Sequence, residues 1–171
     1  NNITREEVIR NNLLIDEGDA FNELLQAKTL NNIKALNFFS DVKLDVFDSL
    51  EDSKKIINIT VIEKPTGEIM AGAGVGTNGG TVAFGLKENN FLGRGIEFAS
   101  DLTVSEKGLK GIVSLNNPNF KGSNRSLNAS LESTVTDSLT DFGYKSSRTG
   151  FSIGSGFEFY DDLYWNRGMS V

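Results

Sequence analysis

The pattern of the chain changes at one point, the run Glu63-Lys64-Pro65-Thr66-Gly67. Before this run, apolar residues recur at helical spacing in some segments and at every second position in others. After it, almost every segment alternates apolar and polar residues, and glycine, asparagine, aspartate and serine separate the segments. The sequence therefore predicts a small domain with helices and strands, followed by a long series of β-strands.

Composition narrows the class of protein. The 171 residues are 38% hydrophobic and 23% charged, which is too apolar for a disordered chain. No segment approaches the roughly 18–20 consecutive apolar residues of a membrane-spanning helix, whereas a strand of a membrane β-barrel needs only about ten alternating residues. Cysteine and histidine are absent, so thiolate metal sites and the commonest catalytic base are excluded. The net charge is -6 and no basic cluster exists, so we expect no nucleic-acid partner. No nucleophilic residue has a base partner in the sequence, so we expect no enzymatic activity.

The first part of the sequence is predicted to form two helices followed by two strands. Thr4 is predicted to cap a first helix with Glu7 as its capping-box partner, and a second helix is predicted over about residues 22–36. The candidate core residues of the second helix are Phe21, Leu25, Leu30 and Ile33. Strands are predicted at residues 42–46 and 56–62. Two helices and two strands make a thin core, which a further strand before the first residue would complete. An ordinary α+β domain with no special role fits the pattern equally well.

The second part reads as about seven antiparallel strands with one apolar and one polar face. The apolar face begins with Ile69, and the opposite face carries Lys87, Glu97, Asp101 and Lys110. In a soluble sandwich the apolar face would belong to a shared core, whereas in a membrane barrel it would face lipid. Periodicity fits both structures. Aromatic residues near the predicted strand ends also fit both, as a membrane-interface girdle or as sheet edges: Phe91, Phe120, Phe159, Tyr160, Tyr164 and Trp165.

Each end of the sequence falls at or within a predicted secondary-structure element. The chain opens almost inside a helix start, and a strand pattern is still running at Val171. Seven strands cannot close a bacterial barrel, which takes an even number of about eight or more. The barrel interpretation therefore requires further strands beyond Val171.

Four short motifs occur in a fixed order along the chain. FFSDV at 38–42 is similar to the G-F/Y-F-x-x-V segment of POTRA domains, with Asn37 where glycine is usual. VIEKPTG at 61–67 is similar to the V-x-E-K-x-x-G join between the last POTRA domain and a barrel. ENNFLGRG at 88–95 and NPNF at 117–120 are similar to the E-x-N-x-x-G-x-G and P-x-F turns of that barrel.

On these motifs the chain resembles the Omp85 superfamily (bacterial surface antigen), and most closely its members that assemble outer-membrane proteins. The resemblance covers nearly the whole sequence. It implies an α+β POTRA-like periplasmic domain over residues 1–65, with its first strand missing, and the N-terminal part of an antiparallel transmembrane β-barrel over residues 66–171. The expected location is the outer membrane of a Gram-negative bacterium.

The resemblance also implies a function, namely folding and inserting unfolded β-barrel clients into the lipid bilayer without any cofactor. In this family the first barrel strand is a weakly sealed edge to which a client strand can pair. That strand comprises Glu68, Ile69, Met70, Ala71, Gly72, Ala73, Gly74, Val75 and Gly76. Glycines on one face of this strand weaken its packing. The alanines on the other face are small for a lipid-facing surface, so the strand would match the hydrocarbon layer less well. The alternative is that the glycines merely relieve crowding in a curved barrel.

Two further binding sites are implied in the first part. An edge strand comprising Val42, Lys43, Leu44, Asp45 and Val46 could accept extended clients, or it could be covered by its own loop. Arg10 and Glu17 match charged family positions at which accessory outer-membrane lipoproteins dock, and they could equally be ordinary solvated charges.

Two rival functions remain at the level of sequence. One is a polypeptide-secretion transporter of the same superfamily, which exports a dedicated partner through its lumen. The other is a soluble β-rich binding module with an α+β domain attached.

Overall fold

The computed structural model describes residues 3–49, 54–76, 79–123, 125–160 and 163–171. Contacts between residues divide the chain into two compact units. The first unit comprises Asn1–Thr66 with Leu92–Arg94, and the second comprises Gly67–Phe91 with Gly95–Val171. Among the described residues, no helix is both long enough and apolar enough to cross a bilayer.

The first unit contains two helices and a two-stranded sheet. The helices are α1 (Glu6–Arg10) and α2 (Glu23–Ala35), and the strands are β1 (Phe39–Asp48) and β2 (Lys55–Glu63). β1 and β2 are antiparallel, with a bulge between Phe39 and Asp41. The predicted order of helix, helix, strand, strand is confirmed, and both strands are longer than their apolar patterns indicated.

Local sequence explains both ends of α2. The Asn22 side chain caps its start, accepting the backbone N–H of Leu24 at 2.9 Å and of Leu25 at 3.3 Å. After the helix, Asn37 adopts a positive φ of 59°. Asparagine tolerates this left-handed conformation better than other residues with a side chain, which explains why it can stand where glycine is usual.

The predicted cap of α1 is wrong. The residue at the cap position is Arg5, and no side chain caps the helix, so the expected Thr4–Glu7 capping box does not form. The Thr4 backbone N–H instead donates to the Glu63 carboxylate at the end of β2, at 2.5 Å. In a capping box the Glu7 carboxylate would accept this N–H, so a carboxylate from a distant strand has taken the place of a local one.

A small apolar core holds the first unit together. Its buried members are Val8, Ile33, Phe38, Phe39 and Val42, and Leu30 packs against them. Ile33, which is buried, and Leu30, which is half-buried but packs on the core, are therefore confirmed as core residues. Phe21 and Leu25 are also half-buried, but they are not among the residues that pack against this core. The Phe21 ring lies 5.2 Å from the ammonium group of Lys55.

The second unit is one antiparallel sheet of seven strands arranged in chain order. The strands are β3 (Gly67–Gly76), β4 (Gly79–Phe91), β5 (Ile96–Ser105), β6 (Gly108–Asn117), β7 (Arg125–Ser138), β8 (Tyr144–Tyr160) and β9 (Leu163–Ser170). A 3₁₀ turn (Phe120–Gly122) precedes β7, and a short helix, α3 (Leu139–Phe142), separates β7 from β8. The predicted strand number and the antiparallel arrangement are confirmed.

The E-x-N-x-x-G-x-G motif builds the turn between β4 and β5. Asn90 is buried, and its side-chain oxygen accepts the Gly95 N–H at 2.8 Å. The Asn90 N–H donates in turn to the Glu88 carboxylate at 2.8 Å. Gly95 has a positive φ of 64°, which favours glycine. Glu88, Asn90 and Gly95 of the motif therefore each have a structural role in the turn.

Candidate functional site

β3 is one of the two edge strands of the seven-stranded sheet, and β9 is the other. It pairs with β4 along its whole length, from Gly67 opposite Glu88 to Gly76 opposite Gly79, and no other strand of the described residues pairs with it. Every residue of β3 is exposed, with Ile69 at 84% and Val75 at 92% of full exposure. Its outer side therefore carries backbone N–H and C=O groups without a strand partner in the described part of the chain.

Three of the four glycines of β3 do not sit under neighbouring side chains; the exception is Gly67, where an added methyl would come within 2.9 Å of Glu88. A methyl group built on Gly72, Gly74 or Gly76 would meet no atom within 4 Å. By contrast, one built on Gly85 of β4 would come within 2.9 Å of Asp101 and 3.0 Å of Met70. Crowding among the described residues therefore does not require glycine at positions 72, 74 and 76, and the remaining effect of these three residues is greater backbone freedom and weaker packing.

One face of the sheet is apolar across all seven strands, and the described residues leave it uncovered. Cross-strand register places Ile69 beside Leu86, Phe84 beside Leu102, and Val113 beside Leu131 on this face. Large side chains on it are substantially exposed: Val82, Phe84, Leu86, Leu102, Val104, Leu109, Val113, Leu115, Leu131, Phe151, Ile153, Phe157, Trp165 and Met169. A continuous apolar surface of this extent is typical of contact with lipid or with another protein.

The opposite face is polar and internally hydrogen-bonded. Lys87, Glu97, Asp101 and Lys110 lie on it, as predicted. Lys110 forms an ion pair with Glu132 at 3.0 Å. The Asn116 amide donates to Glu97 at 3.1 Å, and the hydroxyls of Ser130 and Ser152 are 2.7 Å apart. In the described ranges, no three metal-ligating side chains are grouped so that they could hold an ion.

The structure brings Arg10 and Glu17 together. Arg10 donates to Glu6 at 2.7 Å and to Glu17 at 3.1 Å. These hydrogen bonds, first that to Glu6, raise the pKa of the Arg10 guanidinium above its ordinary value. All three side chains are exposed and border a cavity of about 860 Å³ that is also lined by Leu13 and Phe21. Exposed pairs of this kind stabilise a fold only weakly.

The predicted edge in the first unit lies within β1. Val42 is buried in the core, Leu44 and Val46 are half-buried on the same face, and Lys43 and Asp45 are exposed on the other. β1 pairs with β2 on one side, and no strand of the described residues pairs with its other side. The arrangement leaves one edge of β1 without a strand partner in that part of the chain.

Glu63 is an important residue to which the sequence assigned no role beyond a place in the join motif. Its carboxylate accepts the Ile3 N–H at 2.9 Å and the Thr4 N–H at 2.5 Å. Partial burial raises the pKa of Glu63, but the donors at Ile3 and Thr4 outweigh that effect, and the pKa lies below its ordinary value. The partners are about sixty residues apart in the chain, so no local pattern could have predicted the contact.

Comparisons with known proteins complete the description of the site. No family model matches the chain. The chain is 26% identical over 159 residues to the outer membrane protein assembly factor BamA of Neisseria meningitidis, covering 90% of this chain and 20% of that protein. It is 32% identical over 132 residues to BamA of Buchnera aphidicola, covering 75% of this chain and 21% of that protein. The chain belongs to the Omp85 family, and its similarity within that family is to BamA.

A solved structure shows the same fold. The crystal structure of BamA from Haemophilus ducreyi lacking POTRA domains 1–3 matches with a TM-score of 0.83 and 20% identity, covering 98% of this chain and 32% of that one. The mostly antiparallel architecture with few helices is therefore shared. The chain spans about a fifth of the length of the curated BamA relatives that it matches.

Proposed function

We propose that this chain is part of an outer-membrane protein assembly factor of a Gram-negative bacterium. In this proposal residues 1–65 form a POTRA-like periplasmic domain, and residues 66–171 form the opening strands of a transmembrane β-barrel. Three relatives carry the name outer membrane protein assembly factor BamA. The uncovered apolar face of the seven strands supports the membrane location, because alternation with lipid outside and polar groups inside is the pattern of such barrels.

The proposed mechanism is templating at β3. An unfolded client strand carries unpaired N–H and C=O groups, which are very costly in hydrocarbon. Pairing with β3 satisfies one side of the client backbone before it meets lipid. The step makes and breaks hydrogen bonds alone, so it needs no cofactor and no catalytic residue.

One observation carries this mechanism: β3 is an exposed edge with one strand partner among the described residues. Its uncrowded glycines support it further, since a strand that packs weakly can exchange partners more readily than one locked by side chains. The named relatives do not favour the alternative of a dedicated secretion transporter. The soluble binding module is also less well supported, because no described residue covers the apolar face.

Two further contacts belong to the proposal. The unpaired side of β1 could hold an extended client segment by adding a strand to the two-stranded sheet. The exposed Arg10–Glu17 pair beside the 860 Å³ cavity could dock an accessory outer-membrane lipoprotein. Both proposed contacts are based on the resemblance to the family and on the exposure of the residues that would make them.

The templating mechanism is tested by photo-crosslinkers in the complete protein. Crosslinkers placed at positions 69, 71, 73 and 75 of β3 should capture client outer-membrane proteins during assembly. Matched crosslinkers at Val113 and Leu115 lie on the same apolar face, but β6 has strand partners on both sides. Adducts at β3 that are absent at β6 support templating. Equal yields at both strands would mean that clients contact the whole face, and the edge mechanism would be rejected.

A second test changes the glycines. In the double variant Gly72→Val and Gly74→Val, β-branched side chains enter open space, so the sheet should still form while β3 becomes stiffer. We expect client assembly to slow about tenfold, since each glycine contributes roughly 0.5–1 kcal/mol of backbone freedom. Assembly rates in proteoliposomes measure the effect. The control is Gly111→Ala in β6, where the nearest atom to the added methyl is 3.9 Å away. A similar loss in the control would contradict the role of β3.

A further inference from the structure

The last residues of β2 are fastened to two other parts of the first unit. The Glu63 carboxylate accepts the N–H groups of Ile3 and Thr4, which precede α1. The next residue, Lys64, donates its backbone N–H to the Phe38 carbonyl at 3.0 Å and its ammonium group to the Asn37 side chain at 2.5 Å. The end of β2 is thus tied both to the segment before α1 and to the loop between α2 and β1.

α1 is too short to hold in place the segment that precedes it. α1 has five residues and no side-chain cap, so its own hydrogen bonds cannot fix the residues that precede it. A carboxylate that accepts two backbone N–H groups makes charge-assisted bonds, roughly twice as strong as neutral ones. Glu63 therefore holds the segment before α1, and it takes the Thr4 N–H that Glu7 would accept in a capping box. Lys64 contacts the loop between α2 and β1, where its ammonium group donates to Asn37, a residue with positive φ.

We propose that Glu63 and Lys64 form a clamp that fixes the point at which the chain leaves the first unit. Glu63 acts as a positioning residue: it holds the end of β2 against the segment before α1. Lys64 holds the same end against the loop after α2. β3, the strand at which clients are proposed to pair, begins three residues after Lys64, at Gly67. An effect of the clamp on client assembly rests on the proposed function, whereas the clamp itself does not.

The clamp is tested by hydrogen exchange in the complete protein. Glu63→Gln keeps the shape of the side chain but removes its charge and one acceptor oxygen. We expect the amides of Ile3 and Thr4 to exchange about tenfold faster, the size expected when a charge-assisted hydrogen bond is weakened. The amides of α2, including Ile33, should be unaffected. The matched control is Glu7→Gln, which removes the carboxylate that a capping box would have used and should leave the exchange of both amides unchanged.

Two outcomes would overturn the proposal. One is unchanged exchange at Ile3 and Thr4 in Glu63→Gln. The other is an equal loss of protection throughout α2, because Glu63 would then support the whole unit and not position one segment. A functional arm compares client assembly in the same variant: crosslinking at position 69 should persist while the rate of insertion falls. If the unmodified protein yields no client adducts, the templating mechanism fails, and the hydrogen-exchange result still decides whether the clamp exists.

Discussion

Val113→Arg is expected to destabilise the protein in a lipid bilayer by about 2–4 kcal/mol, the cost of arginine on the lipid face near the middle of a membrane strand. Val113 lies near the centre of β6, on the apolar face of the sheet, and is 41% exposed among the described residues. In the proposed barrel its side chain points into hydrocarbon. Urea unfolding of the complete protein reconstituted in bilayers measures the loss.

The neighbouring residue provides the control for this prediction. Ile112 is apolar too, but it pairs with Asp101 and Glu132 on the polar face. Ile112→Arg should therefore be tolerated, because its side chain enters the hydrated interior of the proposed barrel. Equal losses for the two variants would refute the assignment of lipid and lumen faces. A soluble protein would fold in water without detergent, and its response to Val113→Arg would not depend on a bilayer.

Ile33→Ala is expected to cost the first unit about 2–5 kcal/mol, as is usual when a large aliphatic side chain is removed from a packed core. Ile33 is 0% exposed and is surrounded by the small core of α1, α2 and β1. Hydrogen-exchange protection of β1 and β2 amides in the complete protein measures the loss. Leu24→Ala, at a 75% exposed position of the same helix, should change protection by less than about 0.5 kcal/mol. Comparable effects of the two variants would show that Ile33 is not central to the core.

Much of the fold could be predicted because the signals are local. The Asn22 cap and helical spacing define α2, and strict alternation defines β3 to β9. The turn built by Asn90 was also visible as a motif, since the hydrogen bonds that join Asn90 to Glu88 and to Gly95 lie within eight consecutive residues. In each case the residues that determine the structure are close in sequence.

The errors and omissions arise from contacts between distant residues. Thr4 was predicted as a cap on local grounds, but Glu63 takes its N–H from about sixty residues away. Alternation also left open whether the apolar face was a shared core or a lipid surface. That distinction depends on what covers the face, which is a property of the assembled sheet and not of any one strand.

The candidate site was only partly accessible from the sequence. The glycines of β3 were visible, but their surroundings were not, so relief of crowding and backbone freedom could not be separated. The absence of any atom near a methyl group at Gly72 or Gly74 separates them for the described residues. The pairing of Arg10 with both Glu6 and Glu17 was likewise invisible, because the side chains come from a helix and from the loop after it.

The chain-order arrangement of the sheet has a consequence for how the protein folds. In the described part of the chain, each strand from β3 to β9 pairs with its neighbours in sequence, so every ladder closes through a short connection. Short connections cost little loop-closure entropy and give a low contact order, which favours rapid folding. The sheet can therefore form one hairpin at a time as the polypeptide arrives, and no strand has to wait for a remote partner.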